Sequence, residues 1–174
     1  AIHWHGFLQV GTPWEDGTPA VSQCPIAPMK SFTYQFQAHL YGTSWYHSHY
    51  SAQYAGGLLG PIVIHGPSQL HYDVDIGPIM LSDWYHDDYM AVLETILKTD
   101  STPRVSSDNN LINGKSAVDC SNKKSPCTSG KSFAQFRFQQ GKVHRMRLIN
   151  SGAEATQRFS LDGHVLTVIA NDFV

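Results

Sequence analysis

Residues 31–38 read Ser-Phe-Thr-Tyr-Gln-Phe-Gln-Ala, so aromatic and polar side chains alternate without a break. A two-residue period belongs to an extended chain; on a helix the same spacing would scatter Phe32, Tyr34 and Phe36 around the circumference. Short apolar runs recur at residues 2–10, 43–49, 58–65, 79–86, 133–138, 143–150 and 164–170. They are separated by clusters of Gly, Pro, Asn, Asp and Ser, the residues that set turns. Residues 11–19 (Gly-Thr-Pro-Trp-Glu-Asp-Gly-Thr-Pro) read as a loop, and residues 99–131 are polar and loop-like. A helix is predicted only over Tyr89–Leu97, with Asp87 and Asp88 placed to cap its start and supply a first-turn carboxylate. Many short strands with a single helix predict an all-β chain, a Greek-key sandwich or barrel. Residues 67–77 lack periodicity and carry Pro67, so they read as a linker between a unit at 1–66 and another at 78–174.

Charge narrows the function. The chain has 174 residues, 12 Lys+Arg against 14 Asp+Glu, and a net charge of −2. No basic stripe exists to neutralise phosphates, which excludes a nucleic-acid binder. The 41% hydrophobic and 11% aromatic content excludes a disordered chain. No run approaches the roughly 18 apolar residues of a membrane-spanning helix. The chain opens Ala-Ile-His-Trp-His and closes inside an apolar run, so it reads as an internal segment of a longer protein. Of its three cysteines, Cys120 and Cys127 are close enough in sequence for a loop disulfide, which suits an oxidising compartment. Cys24 is then either a free thiol or paired with a residue outside the chain.

The chemistry lies in the histidines, ten in number. His3-Trp4-His5-Gly6 and Trp45-Tyr46-His47-Ser48-His49 each carry a His-x-His on a predicted strand. Residues i and i+2 of a strand share a face, so each segment presents two imidazoles side by side. Two such strands brought together present four. Neutral imidazoles without cysteine or carboxylate suit copper, zinc, iron or nickel rather than calcium or magnesium. Trp4 and Tyr46 fall on the opposite face as packing residues. His39, His65, His71, His86, His144 and His164 are isolated and read as surface or hydrogen-bonded structural residues.

Several stretches resemble the multicopper oxidases, in their fungal laccase branch. They are His3-Trp-His-Gly-Phe-Leu-Gln9 running on to Asp16-Gly17, Gln23-Cys-Pro-Ile26, Trp45-Tyr-His-Ser-His49 and Gly56-Gly-Leu-Leu-Gly-Pro-Ile62. These look like the first cupredoxin domain of such an enzyme. Leu111-Ile-Asn-Gly114, residues 141–150 and residues 159–170 look like the start of the second. The resemblance implies a cupredoxin-like β-sandwich fold and a cluster of three coppers that reduces O2 to water while phenols or aromatic amines are oxidised. It implies that His3 binds the type 2 copper, that His5 and His47 share one type 3 copper, and that His49 binds the other. The remaining cluster ligands and the type 1 copper belong to a third domain in this family, and their motifs do not occur here. The isolated chain is therefore expected to be inactive, and its full-length parent to be secreted.

Weaker expectations follow from the same resemblance. Asp16 matches a family carboxylate near the type 2 copper that relays protons, although Asp in a Trp-Glu-Asp-Gly turn is also a natural turn former. Glu154 lies where related enzymes place a carboxylate that takes the phenolic proton, although it also reads as a solvated loop residue. Cys24 matches a cysteine that pairs with the end of the third domain. Ascorbate oxidase, a ferroxidase and a non-catalytic copper-binding module are the rival readings. The Trp-Tyr-His-Ser-His form leans towards laccase over the Phe-Tyr-His-Gly-His of plant ascorbate oxidases.

Overall fold

A computed structural model describes residues 1–98, 105–118, 121, 130–154 and 156–174. Its strands in chain order are β1 (Ile2–Trp4), β2 (Gly42–Ser48), β3 (Leu59–Ile64), β4 (Val74–Trp84), β5 (Asn109–Ile112), β6 (Ala117–Val118), β7 (Gly130–Lys131) and β8 (His144–Asn150). The helix α1 (Tyr89–Leu97) and two short 3₁₀ turns, Pro13–Glu15 and Gln53–Gly56, complete the regular structure. One sheet has the order β1-β2-β3, antiparallel throughout. The other has the order β5-β4-β8, with β5 antiparallel and β8 parallel to β4. β6 and β7 form a separate two-stranded ribbon. No helix among the described residues is long and apolar enough to cross a membrane.

The expected strands at 43–49, 58–65, 79–86 and 143–150 are present with shifted ends. β4 begins at Val74, inside the stretch read as a linker, and tolerates Pro78 because its pairing with β8 shifts register between Asp75 and Pro78. A proline in a central strand is admitted at such a bulge. Pro61 sits on β3, at the edge of its sheet, where no ladder bond is lost. Residues 31–38, 133–138 and 164–170 form no ladder. They have the side-chain period of a strand, but among the described residues no neighbouring segment hydrogen-bonds to their backbone. Tyr34 and Phe36 still turn one face inward, against Trp4 at ring centroid distances of 5.5 and 5.4 Å. The residues read as loop at 99–131 include β5 and the ribbon; Cys120 and Cys127 lie outside the described residues. In α1, Asp88 is the N-cap and accepts from the Met90 N–H at 2.9 Å, while Asp87 precedes the helix rather than joining its first turn.

The buried apolar side chains come from both sheets: Ile79 and Leu81 of β4, Ile149 of β8 and Ile62 of β3, with Phe173 beyond the strands. Arg147 of β8, 4% exposed, ties the second sheet to the first. Its Nη2 and Nε donate to Asp75 Oδ2 at 2.6 and 2.9 Å, and its Nη1 donates to Thr43 Oγ1 of β2 at 2.6 Å. The last residues return to the first sheet as well. Thr43 N–H donates to the Asp172 carbonyl at 3.0 Å, and the buried Phe173 packs on Phe7 at 4.7 Å.

Candidate metal centre

Register builds the site. In the antiparallel pair β1–β2, His3 lies opposite His47 and Trp4 opposite Tyr46. Directly opposed residues project to the same face, so the two imidazoles meet on one side and the two aromatic rings on the other. Trp4 and Tyr46 are 5.7 Å apart there, as the alternation requires. His5 and His49 lie one residue past the ends of their strands. Backbone bonds extend the pairing to reach them, from His5 N–H to the Trp45 carbonyl at 3.1 Å and from His49 N–H to the Ala1 carbonyl at 3.2 Å.

The four rings gather around His3, whose centroid is 5.5 Å from His5, 5.4 Å from His47 and 5.4 Å from His49. Ligand atoms of His3, His5 and His47 all lie within 4.8 Å of one another. His5 Nδ1 faces His47 Nε2 at 3.3 Å. Two nitrogens sharing one ion at roughly 2.0–2.1 Å and a tetrahedral angle would stand about 3.3 Å apart. His49 joins the ring cluster but not that close trio.

Other contacts aim the rings. His3 Nδ1 donates to the Asp16 carbonyl at 2.7 Å, which leaves its Nε2 as the free lone pair. Asp16 Oδ1 is 3.4 Å from the same nitrogen, and Thr18 Oγ1 donates to Asp16 Oδ2 at 3.0 Å. His47 Nδ1 donates to the Ser48 carbonyl at 3.0 Å, which leaves its Nε2 free towards His5. Histidine ligands are commonly oriented in this way by a carbonyl or carboxylate on the second ring nitrogen. Burial, helped by the neighbouring His3, lowers the proton affinity of His5, with Asp172 opposing. Burial also lowers that of His47, against the raising effect of its Ser48 hydrogen bond. Both rings are thus held towards the neutral form that binds metals.

Two aromatic residues beside the histidines were not singled out by the sequence pattern. Trp45 stacks on His47 at 4.2 Å and 27°, and on His5 at 5.5 Å and 25°. The alternation that pairs the histidines also places Trp45 on their face, so the signal was present. Tyr54 meets His47 edge-on at 5.5 Å because the chain reverses after His49, and no local pattern announces that.

Glu154 lies elsewhere. Its Oε2 accepts the Ser107 N–H at 2.7 Å, and its own N–H donates to the buried Asp83 at 2.7 Å. Burial, with Asp83 and Glu154 close by, pushes the adjacent Tyr85 hydroxyl up to about 12. His86 is hydrogen-bonded as a structural residue: its N–H donates to Asp108 at 2.8 Å and its Nε2 faces the Asn109 amide at 3.1 Å. His144 Nε2 accepts from the Gln139 N–H, and His164 Nδ1 donates to the Asp162 carbonyl. Cys24 is a free, exposed thiol.

Sequence models of the multicopper oxidases match residues 1–69 and 75–174. The chain belongs to the multicopper oxidase family. Membership of this family implies copper, and a donor set of neutral imidazoles fits that metal. Among the relatives that match along all of this chain are an oxidase and a laccase. Dihydrogeodin oxidase of Aspergillus terreus is 47% identical and is matched over 29% of its own length. Laccase-2 of Botryotinia fuckeliana is 45% identical and is matched over 30%. The chain therefore spans under a third of the length of these curated relatives. The crystal structure of a laccase from Botrytis aclada superposes with a TM-score of 0.80 at 45% identity, covering 87% of this chain and 28% of that one. With it the chain shares the cupredoxin-like, all-β fold of the multicopper oxidases.

Proposed function

We propose that this chain is part of a laccase: a secreted enzyme that oxidises phenols or aromatic amines in one-electron steps and reduces O2 to water. It supplies most of a first cupredoxin domain and the start of a second. A third domain of the same polypeptide supplies the type 1 copper and the remaining cluster ligands. The observation that carries this reading is the pair of imidazole nitrogens 3.3 Å apart inside a cluster of four histidines. His5 and His47 would hold one type 3 copper, His49 the other, and His3 the type 2 copper. Copper, when bound, supplies one-electron redox chemistry and the place where O2 is taken up.

The protein's own groups do the rest. Asp16 fixes the His3 tautomer through its backbone carbonyl, and its carboxylate, 3.4 Å from His3 Nδ1, relays protons to the site. Trp45 covers one face of His5 and His47 and excludes water from that side. Glu154, steadied by Ser107, accepts the phenolic proton as the substrate loses an electron. Cys24, exposed and unpaired, forms a disulfide with the remaining polypeptide.

The test is oxygen consumption by the complete, copper-loaded polypeptide with a dimethoxyphenol as substrate. One O2 consumed per four phenols oxidised, with no hydrogen peroxide released, is the expected result. Peroxide accumulation, or oxidation of Fe(II) or ascorbate in strong preference to phenols, would overturn it.

A further inference from the structure

The 3₁₀ turn Gln53–Gly56 contains no metal-binding side chain, yet it touches His47 by two routes. Tyr54 lies edge-on against the ring at 5.5 Å. Gln53 acts through Ser48, the residue whose carbonyl accepts from His47 Nδ1. Ser48 is fully buried, and its hydroxyl donates to Gln53 Oε1 at 2.7 Å while accepting the Tyr50 N–H at 3.2 Å. The Ser48 N–H is bound to the Leu58 carbonyl at 2.9 Å. Every polar atom of Ser48 is thus engaged, and one of its partners is a side chain that can be changed. The turn is fixed from its other side. Gly56 lies against the Tyr89 ring of α1 so closely that a Cβ would meet it at 2.9 Å, and Gly57 (φ +99°) faces Trp84 of β4.

We propose that Gln53 is a positioning residue for His47, one that holds the Ser48 carbonyl where it fixes the imidazole tautomer and aims Nε2 at His5. Without the Gln53 acceptor, the buried Ser48 hydroxyl must find another, and a buried unsatisfied donor is costly enough to turn the residue. Ser48 carries the carbonyl with it. The His47 ring then loses the bond that keeps its proton on Nδ1, and Nε2 is no longer reserved for metal. Changes to such outer partners commonly weaken metal binding by about 10–100-fold. The proposal rests on the reading of His47 as a copper ligand.

The test measures copper affinity by chelator competition in the complete polypeptide, comparing wild type, Gln53→Leu, Gln53→Glu and Ile79→Val. Leucine removes the acceptor, glutamate keeps an oxygen in its place, and Ile79→Val loosens the core of the second sheet. The affinity of Gln53→Leu should fall about 10–100-fold, with a changed copper EPR spectrum. Gln53→Glu should stay within a few-fold of wild type, and Ile79→Val should bind copper as wild type does. Wild-type affinity in Gln53→Leu, an equal loss in Gln53→Glu, or an equal loss in Ile79→Val would each overturn the proposal. Failure of wild type itself to bind copper would refute the ligand reading instead.

Discussion

Gly17 shows how a single position holds the histidine cluster together. Its φ is +78°, and a Cβ there would overlap the Ile2 carbonyl of β1. The Asp16 turn therefore presses directly onto the strand that carries His3, and only glycine permits that approach. Gly17→Ala should destabilise the protein by more than about 1 kcal/mol, since backbone strain adds to the overlap. Calorimetry on the complete polypeptide would measure this, and an unchanged melting temperature would count against the account. The four histidines were legible because a strand has a fixed period and their motifs are distinctive. Trp45 shares their face by the same rule, yet nothing in the motif marked it as part of the site. Asp16 was placed near the site only by the resemblance, and as a carboxylate; its backbone carbonyl meets His3 as well, and sequence does not distinguish the two.

At the scale of elements, β8 and β2 are joined by Arg147. The guanidinium is 3% exposed, with Asp75 and Thr43 as its partners. Asp75→Ala would strand that charge, and removing one partner of a buried pair costs about 3–5 kcal/mol. The loss should appear as a lowered thermal midpoint. The pH dependence follows from the same contact. Burial alone would push the Asp75 carboxyl up, but Arg147 and the Gly77 N–H outweigh it and hold the carboxyl below its usual range. The folded state therefore binds this proton more weakly than the unfolded chain does. The stability it confers is complete above the unfolded value, near pH 4, and is lost as pH falls through the lower folded value. Asp75→Ala should flatten that part of the acid limb, and an identical acid limb in both proteins would contradict the assignment. Element types were readable where apolar residues met a partner, as in β2, β3 and β8. Residues 31–38 have a flawless strand period yet no ladder, because alternation reports which way side chains face and not whether another strand lies alongside. The strands β5, β6 and β7 were hidden because each has only two to four residues within a largely polar stretch, too few to show a period, while ladder bonds use backbone and not side chain.

At the scale of the whole molecule, the chain links two three-stranded sheets and gathers four of its ten histidines at the end of one. Arg147 joins the sheets, Asp172 and Phe173 bring the last residues onto the first, and the 3₁₀ turn at Gln53–Gly56 carries contact from α1 towards His47. None of these long-range contacts has a local signature, so they could not be read before the fold was known. The central claim is that His5 and His47 face each other in order to share a copper ion. Anomalous diffraction at the copper absorption edge, on crystals of the complete copper-loaded polypeptide, tests it most directly. The account predicts a copper peak about 2 Å from both His5 Nδ1 and His47 Nε2. Copper bound away from these nitrogens, with the two rings still facing each other across an empty gap, would contradict it.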